Sequence, residues 1–111
     1  METKVIKVIT LSDVYTDNPL AYAKEGDAGV DLRSTVDVNI GPGECVPIPL
    51  GVRFHIEHQN LFMLLLPRSG MGKEGLILGN TAGVIDGGYQ GEVIALAWNR
   101  NERETGKVIR V

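Results

Sequence analysis

The sequence predicts an all-β domain with little helix, built as a compact barrel or a jelly-roll sandwich. Glycine and proline, 14 and 5 of the 111 residues, fall at intervals between short runs of β-branched and aliphatic side chains. No stretch keeps a 3.6-residue apolar period over three turns, so long helices are not expected. Many short strands between regular turn signals close most readily as a barrel or a sandwich.

Ten strands are expected between these turn signals. In chain order they cover Val5–Thr10, Val30–Ser34, Val36–Ile40, Cys45–Pro47, Val52–Ile56, Leu61–Leu66, Leu76–Leu78, Gly83–Asp86, Val93–Trp98 and Lys107–Val111. The clearest turns are Gly41-Pro42-Gly43, Pro49-Leu50-Gly51, His58-Gln59-Asn60 and Gly87-Gly88.

Length and charge limit the classes of function. At 111 residues we expect one domain, covering residues 1–111. Eleven basic against fourteen acidic residues give a net charge of −3, which lacks the basic surplus of a nucleic-acid groove. The longest apolar run, Leu61–Leu66, is too short to cross a bilayer. Neither nucleic acid nor a membrane is therefore an expected partner.

The cysteine and histidine content argues against cross-links and a histidine metal site. Cys45 is the single cysteine, which excludes a disulfide within the chain and a cysteine-clustered zinc site. His55 and His58 have only Glu57 beside them, so we expect no metal there. The first residues contain no apolar stretch typical of a signal peptide, and we expect a reducing, intracellular, cytoplasmic setting.

The first candidate site is the segment Gly26–Ser34, in which two carboxylates flank a small-residue turn. Mg²⁺ takes one or two carboxylates together with phosphate oxygens, so Asp27 or Asp31 is a candidate for holding a metal–phosphate complex. The alternative is that both aspartates only stabilise the turn through local hydrogen bonds. Spacing alone favours that alternative.

The second candidate site is Leu64–Gly75, where a strand ends and Arg68, Ser69 and Gly70 follow at once. A guanidinium fork, a hydroxyl and exposed backbone N–H groups together suit anion binding. The segment therefore predicts contacts to a phosphate or a carboxylate.

Two known nucleotide-binding motifs do not explain this second segment. The pattern Gly70-x-Gly72-x-x-Gly75 is formally the dinucleotide fingerprint, but residues 76–80 return to strand-like sequence where that fingerprint needs a helix. A Walker A loop also fails, because Glu74 follows Lys73 in place of serine or threonine.

The third candidate site is Gly79–Glu92, centred on Asp86-Gly87-Gly88-Tyr89. The two glycines permit the positive φ angles of a type I′ turn, which predicts a two-residue hairpin. Its glycines leave backbone groups accessible, so a ligand can be read without side chains. Asp86 could orient or deprotonate a water, and Tyr89 could lie against a sugar or base. A turn aspartate and a strand tyrosine with no further role are the alternative.

A fourth segment, Trp98–Lys107, mixes both signs of charge. Such composition is typical of a solvated loop joining two strands.

Taken in order, these segments resemble one family, the trimeric deoxyuridine triphosphate nucleotidohydrolases (dUTPases). Asp27–Leu32 is similar to the family's first motif, and Pro67–Gly70 with Gly72 to its second. Gly83–Asp86 continuing through Tyr89–Glu92 is similar to its third. Trp98-Asn99 matches the end of the strand that follows, and the resemblance runs from about Ala21 onward.

The resemblance implies a β-jelly-roll subunit in a homotrimer with active sites shared between subunits. It also implies hydrolysis of dUTP to dUMP and pyrophosphate with Mg²⁺ as cofactor. In that family pattern Arg68, Ser69 and Gly70 would contact the triphosphate, and Asp31 would lie near Mg²⁺ through its coordinated water. Asp86 would hold the water that attacks the α-phosphorus.

The resemblance also implies how the nucleoside is recognised. Asn80 and the backbone of Gly83, Val84 and Ile85 would read the uracil edge. Tyr89 would pack under the deoxyribose and leave no room for a ribose 2′-hydroxyl.

Two further hypotheses accompany this one. Chains of the family continue beyond the position of Val111 into a fourth motif, Gly-x-Arg-Ile-Ala-Gln, and a glycine-rich arm whose phenylalanine closes over the base. Lys107–Val111 resembles the strand before that motif, and neither later motif is found in this sequence. The second hypothesis is therefore a trimeric module that binds deoxyuridine nucleotides, or a protein partner, with little catalysis. The third is dCTP deamination on the same fold. The deaminases place a catalytic glutamate in the strand after the hairpin and tend to have a second serine after the first. Deamination is disfavoured here because Val93–Trp98 contains no acidic residue and Gly70 follows Ser69.

Overall fold

Short antiparallel strands make up most of the regular structure in the computed structural model, which describes residues 4–111. The strands are β1 (Lys7–Thr10), β2 (Asn39–Ile40), β3 (Cys45–Pro49), β4 (Val52–His55), β5 (Phe62–Leu65), β6 (Leu76–Leu78), β7 (Gly83–Asp86), β8 (Ile94–Asn99) and β9 (Ile109–Arg110). One short helix, α1 (Ser69–Glu74), and two 3-10 turns, Asp13–Tyr15 and Arg103–Thr105, complete the set. The predicted all-β class with little helix is confirmed.

The strands pair into four small sheets, and every pairing is antiparallel. β1 pairs with β4, β2 with β9, and β5 with β7, while β3, β8 and β6 form a three-stranded sheet with β8 in the middle. β3 carries Pro47 and Pro49 and lies at the edge of its sheet. Proline lacks an N–H for a second ladder, so an edge is where such a strand is tolerated.

The core lies where the inward faces of these sheets meet. Side chains alternate along the strands, so that Val52 and Phe54 of β4 are buried while Arg53 and His55 are only partly so. The buried apolar side chains are Tyr15, Ile40, Ile48, Leu50, Val52, Phe54, Ile56, Leu76, Leu78, Val93 and Ala97. Several of them come from β3, β4 and the turn between, so this segment lies at the centre of the core although β3 and β4 belong to different sheets.

The predicted strand Val30–Ser34 is wrong, and of Val36–Ile40 only the last two residues are a strand. In this segment, backbone N–H groups donate hydrogen bonds that are not part of a strand ladder. The Arg33 N–H donates to the Tyr15 hydroxyl at 2.9 Å, and the Thr35 N–H donates to the Pro49 carbonyl at 3.0 Å. An apolar run alone does not reveal such partners.

Helix α1 lies inside a segment that the sequence analysis placed between strands. It ends at Gly75, whose φ of +99° is a left-handed conformation that favours glycine. The N–H of Gly75 donates to the carbonyls of Gly72 and Met71, which closes the last turn. The motif with three glycines therefore lies within a helix of only six residues and ends it, and the chain returns to a strand at Leu76.

The predicted type I′ hairpin at Gly87-Gly88 is also wrong. The Tyr89 N–H does donate to the Asp86 carbonyl at 3.0 Å, so a tight turn is present. Neither Gly87 nor Gly88 has a positive φ, which a type I′ turn requires at both positions. β7 pairs with β5 and not with β8, so the turn leads from one sheet to another.

No helix within residues 4–111 is long and apolar enough to span a membrane. Residues 1–3, where the expectation about a signal peptide began, lie outside the described part of the chain.

Candidate active site

The first and second candidate segments meet in space through Asp31 and Arg68. Oδ1 of Asp31 lies 3.6 Å from Nε of Arg68, and both side chains are exposed, 57% and 71% respectively. Asp31 belongs to the irregular segment before β2, and Arg68 follows β5. A carboxylate and a guanidinium are thus placed side by side at the surface.

The two aspartates of the first segment differ in what they do. Oδ2 of Asp27 accepts a hydrogen bond from the Lys24 N–H at 3.0 Å, and the Asp27 N–H donates back to the Lys24 carbonyl at 3.2 Å. Asp27 therefore closes its own turn, which is the local role that spacing favoured. Asp31 is the one that faces another candidate residue.

The second segment bends from a strand into a helix at Arg68. Arg68 has extended backbone angles, φ −68° and ψ 148°, and Ser69 and Gly70 are the first two residues of α1. The first turn of a helix leaves backbone N–H groups without intrahelical acceptors. Ser69 and Gly70 are exposed, so a guanidinium, a hydroxyl and unpaired amides occur together here.

The third segment is organised by the pairing of β7 with β5. In this ladder Asp86 lies opposite Phe62, and Gly83 lies opposite Leu65. Within the described residues β7 pairs only with β5. Backbone groups on the far edge of β7 are therefore open to a ligand, and Val84 is 62% exposed.

The approach to β7 is a tight loop. Thr81 has a φ of +70°, unusual for a β-branched residue, and the Ala82 N–H donates to the Asn80 carbonyl at 2.7 Å. Nδ2 of Asn80 donates to the Ala82 carbonyl at 3.2 Å. The side chain of Asn80 is exposed and held near the start of β7 by its own loop.

Asp86 and Tyr89 lie together at the other end of β7. Asp86 is exposed at the last position of the strand, and the Tyr89 hydroxyl donates to the Glu92 carbonyl at 2.7 Å. The Glu92 carboxylate in turn accepts from the Gly51 N–H at 2.9 Å. The loop that carries Tyr89 is thereby tied to the central β3–β4 turn.

Two clefts border these groups, one along the whole of β5 and one at its Phe62 end. A cleft of about 760 Å³ runs along β5 to Asp31 and Arg68, and its walls are mostly apolar. A second of about 580 Å³ lies beside Asp86, between Gly87 and the turn after β4. Phe62 lines both clefts.

The structure does not bring Asp86 and Arg68 of one chain together. They lie beyond opposite ends of β5, because Asp86 is opposite Phe62 and Arg68 follows Leu65. The chain from Phe62 to Arg68 spans about 20 Å if extended at about 3.3 Å per residue. The candidate residues of one chain therefore lie in two separate places, Asp31 and Arg68 at one end of β5 and Asp86 and Tyr89 at the other.

Among the described residues, no three His, Cys, Asp or Glu side chains are grouped closely enough to hold a metal between them. His55 is engaged on both ring nitrogens, with Gln90 Oε1 at 3.1 Å and Glu57 Oε1 at 2.8 Å.

The polar cluster of Asn99, Arg100 and Asn101 at the end of β8 was not predicted from the sequence. Asn99 is fully buried, and its amide binds the segment that was expected to be a solvated loop. Arg100 and Asn101 contact the far end of α1. An asparagine at an inward strand position, directly after Trp98, was the available signal.

Comparison with known proteins agrees with the geometry. A family model described as dUTPase matches residues 18–106. A protein of Shewanella baltica named deoxyuridine 5′-triphosphate nucleotidohydrolase is 44% identical over 106 residues, which cover 92% of this chain and 70% of that protein. The protein of the same name from Pseudomonas paraeruginosa is 50% identical over 91 residues, covering 78% and 60%.

Solved structures give the same result. A mutant dUTPase of Staphylococcus bacteriophage 80alpha, solved with dUpNHpp, matches with a TM-score of 0.75 and 28% identity over 90% of this chain and 57% of that one. A mutant dUTPase from phage phi11 of S. aureus, in which the coordination of a structural Mg(II) ion is described, has a TM-score of 0.76 and 26% identity over 94% and 65%. This chain thus spans less than two thirds of each phage protein. By the match of fold, motifs and sequence, the chain belongs to the dUTPase family.

Proposed function

We propose that this chain hydrolyses dUTP to dUMP and pyrophosphate, in sites that each combine residues of more than one copy. The observation that carries the proposal is the pairing of Asp31 with Arg68 at one end of β5 and of Asp86 with Tyr89 at the other. The names of the relatives support the reaction, and the exposed groups of the two pairs support the roles that follow.

The triphosphate binds at Arg68, Ser69 and Gly70 in this proposal. A guanidinium offers two parallel N–H donors to phosphate oxygens, and such charge-assisted bonds are among the strongest in proteins. The Ser69 hydroxyl and the open amides at the start of α1 add donors that need no rearrangement. The weak 3.6 Å contact to Asp31 leaves most of the guanidinium free for the ligand.

Asp31 suits a bound magnesium ion. Mg²⁺ keeps several waters and takes one or two carboxylates together with substrate phosphates, and Asp31 supplies one exposed carboxylate beside the proposed phosphate site. When bound there, Mg²⁺ would neutralise phosphate charge and help to fix the triphosphate. The structural Mg(II) ion described for the phi11 protein is consistent with metal binding in the family.

The uracil edge pairs with the open edge of β7. Uracil offers carbonyl and N–H groups, and the backbone of Gly83, Val84 and Ile85 offers the complementary donors and acceptors along an unpaired strand edge. Asn80 adds a side-chain amide at the entrance. A base with a different edge leaves buried polar groups unpaired, which makes this form of discrimination steep.

Tyr89 and Asp86 act on the sugar and the water. The Tyr89 ring is held by its hydroxyl bond to Glu92, and we place it under the deoxyribose, where it excludes a 2′-hydroxyl. The Asp86 carboxylate orients a water and accepts its proton as the oxygen attacks the α-phosphorus. A bond forms from that oxygen to the α-phosphorus, the bond to the β-phosphate oxygen breaks, and pyrophosphate leaves.

A homotrimer completes the site. Since Asp86 and Arg68 of one chain are separated along β5, we place the Asp86 and the Arg68 that serve one substrate on different copies. Exposed apolar side chains support such an assembly, and the outer face of β8 presents Ile94, Leu96 and Trp98.

Release of pyrophosphate from dUTP tests the proposed reaction. It is expected to require dUTP and Mg²⁺ and to fall by about 10²–10⁴-fold in Asp86→Asn, which keeps the shape but loses the base. Asp37→Asn, at another exposed aspartate, is the matched control and is expected to retain the parental rate. An Asp86→Asn protein that turns over at the parental rate would refute the mechanism.

The same preparation separates the other hypotheses. Tight binding of a non-hydrolysable dUTP analogue without turnover would favour a binding module. Ammonia release from dCTP would favour deamination, although β8 holds no acidic side chain.

A further inference from the structure

Helix α1, which carries Ser69 and Gly70, has little to hold it by apolar packing. None of its six residues is buried, and Met71 is 44% exposed. A helix of this length does not form on its own in water. Its position must therefore depend on contacts made at its ends.

The C-terminal turn of α1 is held by polar contacts from the segment after β8. Nδ2 of Asn101 donates to the Glu74 carbonyl at 3.0 Å, and the Arg100 guanidinium donates to the Gly72 carbonyl at 3.0 Å. The Arg100 N–H donates to the Gly75 carbonyl at 2.9 Å. The last carbonyls of a helix lack intrahelical donors. These contacts supply donors to the Glu74 and Gly75 carbonyls and add a second donor to the Gly72 carbonyl, which already accepts from the Gly75 N–H.

The contacts of Arg100 and Asn101 with the end of α1 form a clamp, and Asn99 anchors this clamp in the core. It is fully buried, and its Nδ2 donates to the carbonyls of Ile40 and Lys107, both at 2.8 Å. Its Oδ1 accepts from the Asn101 N–H at 3.0 Å and from the Asn101 side-chain amide at 2.8 Å. Asn101 is thus fixed on one side by the core and bound on the other to α1.

The fit between Asn101 and the end of the helix is tight. A Cβ atom added at Gly75 would lie 2.4 Å from Asn101 Nδ2. Lys107 Nζ also lies 3.1 Å from the Glu74 carboxylate, although both side chains are about half exposed. A side chain at residue 75 would therefore not fit beside the Asn101 amide, which lies directly against the end of the helix.

We propose that Asn101 and Arg100 are positioning residues for triphosphate binding. Held at its C-terminal turn, α1 presents Arg68, Ser69 and Gly70 in one orientation toward the phosphates. The inference rests on the proposed function, since it concerns the same phosphate contacts. It predicts that loss of the clamp weakens binding of the triphosphate and leaves recognition of the nucleoside unchanged, because the side-chain hydrogen bonds described for Asn99, Arg100 and Asn101 go to α1, β2, Lys107 and one another, and none goes to β7.

Binding of two ligands by the full chain tests this. The dissociation constants of a non-hydrolysable dUTP analogue with Mg²⁺ and of deoxyuridine, which has no phosphate, are measured for the parent, Asn101→Ala and Arg100→Gln. Each variant is expected to bind the analogue about tenfold more weakly, as the loss of one hydrogen bond implies. Deoxyuridine binding is expected to change by less than about twofold in the same variants.

Asn39→Ala is the matched control, because Asn39 is exposed in β2 and its side chain makes none of the described contacts. Equal weakening of both ligands would show a general structural role and overturn the inference, as would unchanged binding of the analogue. If Asn101→Ala does not fold, Arg100→Gln, at an exposed residue, still allows the weakening of analogue binding to be compared with that of deoxyuridine binding. A parent protein that binds neither ligand would refute the proposed function itself, and the inference with it.

Discussion

Oδ1 of Asp31 lies 3.6 Å from Nε of Arg68, so the fold joins two exposed, oppositely charged groups from separate segments. Exposed ion pairs contribute little to stability, typically about 0–1 kcal/mol. The pair therefore contributes little to the stability of the fold, and the proposed function assigns it a metal ion and a phosphate instead. A carboxylate for a cation and a guanidinium for an anion are the two groups that a metal–triphosphate needs.

Replacing Arg68 by lysine should weaken substrate binding more than it affects stability. Lysine keeps the charge but loses the planar fork, so KM for dUTP is expected to rise about tenfold or more. Steady-state kinetics and a denaturant titration measure the two effects. Arg110→Lys, at another exposed arginine, is the control. An unchanged KM would show that Arg68 does not hold phosphate.

Tyr15→Phe should destabilise the fold near the first motif. The buried Tyr15 hydroxyl donates to the Leu50 carbonyl at 2.7 Å and accepts from the Arg33 N–H at 2.9 Å. Its removal leaves two buried groups unpaired, at a cost of about 1–3 kcal/mol in the free energy of unfolding. Tyr22→Phe, at an exposed ring, is the comparison, and equal unfolding midpoints for the two variants would contradict the assignment.

Gly51→Ala should be more damaging than Gly106→Ala. The two glycines have similar φ angles, +68° and +62°, so both variants incur the left-handed cost of about 1–2 kcal/mol. At Gly51 the new Cβ would also lie 2.6 Å from Thr35 and 2.9 Å from Ser12, whereas at Gly106 it meets open space. Denaturant unfolding is expected to show the difference, and equal losses would mean that the β3–β4 turn relaxes freely.

The strand positions and the family could be predicted from local features of the sequence. β6 and β7 have the bounds that the apolar runs and glycines indicated, and the strands with alternating apolar residues were located within one or two residues. The spacing of apolar residues and the residue types that favour turns are local properties, so they can be recognised from short stretches of sequence. The order of the three motifs was sufficient to indicate the family.

What could not be predicted depends on distant partners. Residues 30–34 have the composition of a strand, but the Arg33 N–H donates to the side chain of Tyr15 and not to a neighbouring strand. Asn99 and Asn101 belong to a segment that was expected to be a solvated loop. In the structure their amides donate to carbonyls of β2, Lys107 and α1, which are distant in sequence or belong to other elements. The separation of Asp86 from Arg68 follows from the β5–β7 register, which no short motif contains.

Leu96→Glu should disrupt the assembly. Leu96 lies on the outer face of β8 opposite Pro47, and burial of a carboxylate in an apolar interface is costly. Light scattering is expected to report a trimer for the parent and monomers for this variant. Val36→Glu, at a half-exposed apolar side chain in a loop, should remain trimeric. A trimeric Leu96→Glu protein would exclude this face from the interface.

The central claim, a dUTP-hydrolysing site that combines Asp86 of one copy with Arg68 of another, is tested most directly by mixing two inactive variants. Asp86→Asn and Arg68→Ala chains are dissociated together and reassembled, and pyrophosphate release from dUTP is measured. Shared sites predict recovery to about a quarter of the parental rate, because some sites then receive both intact residues. A mixture as inactive as either variant alone would contradict the account.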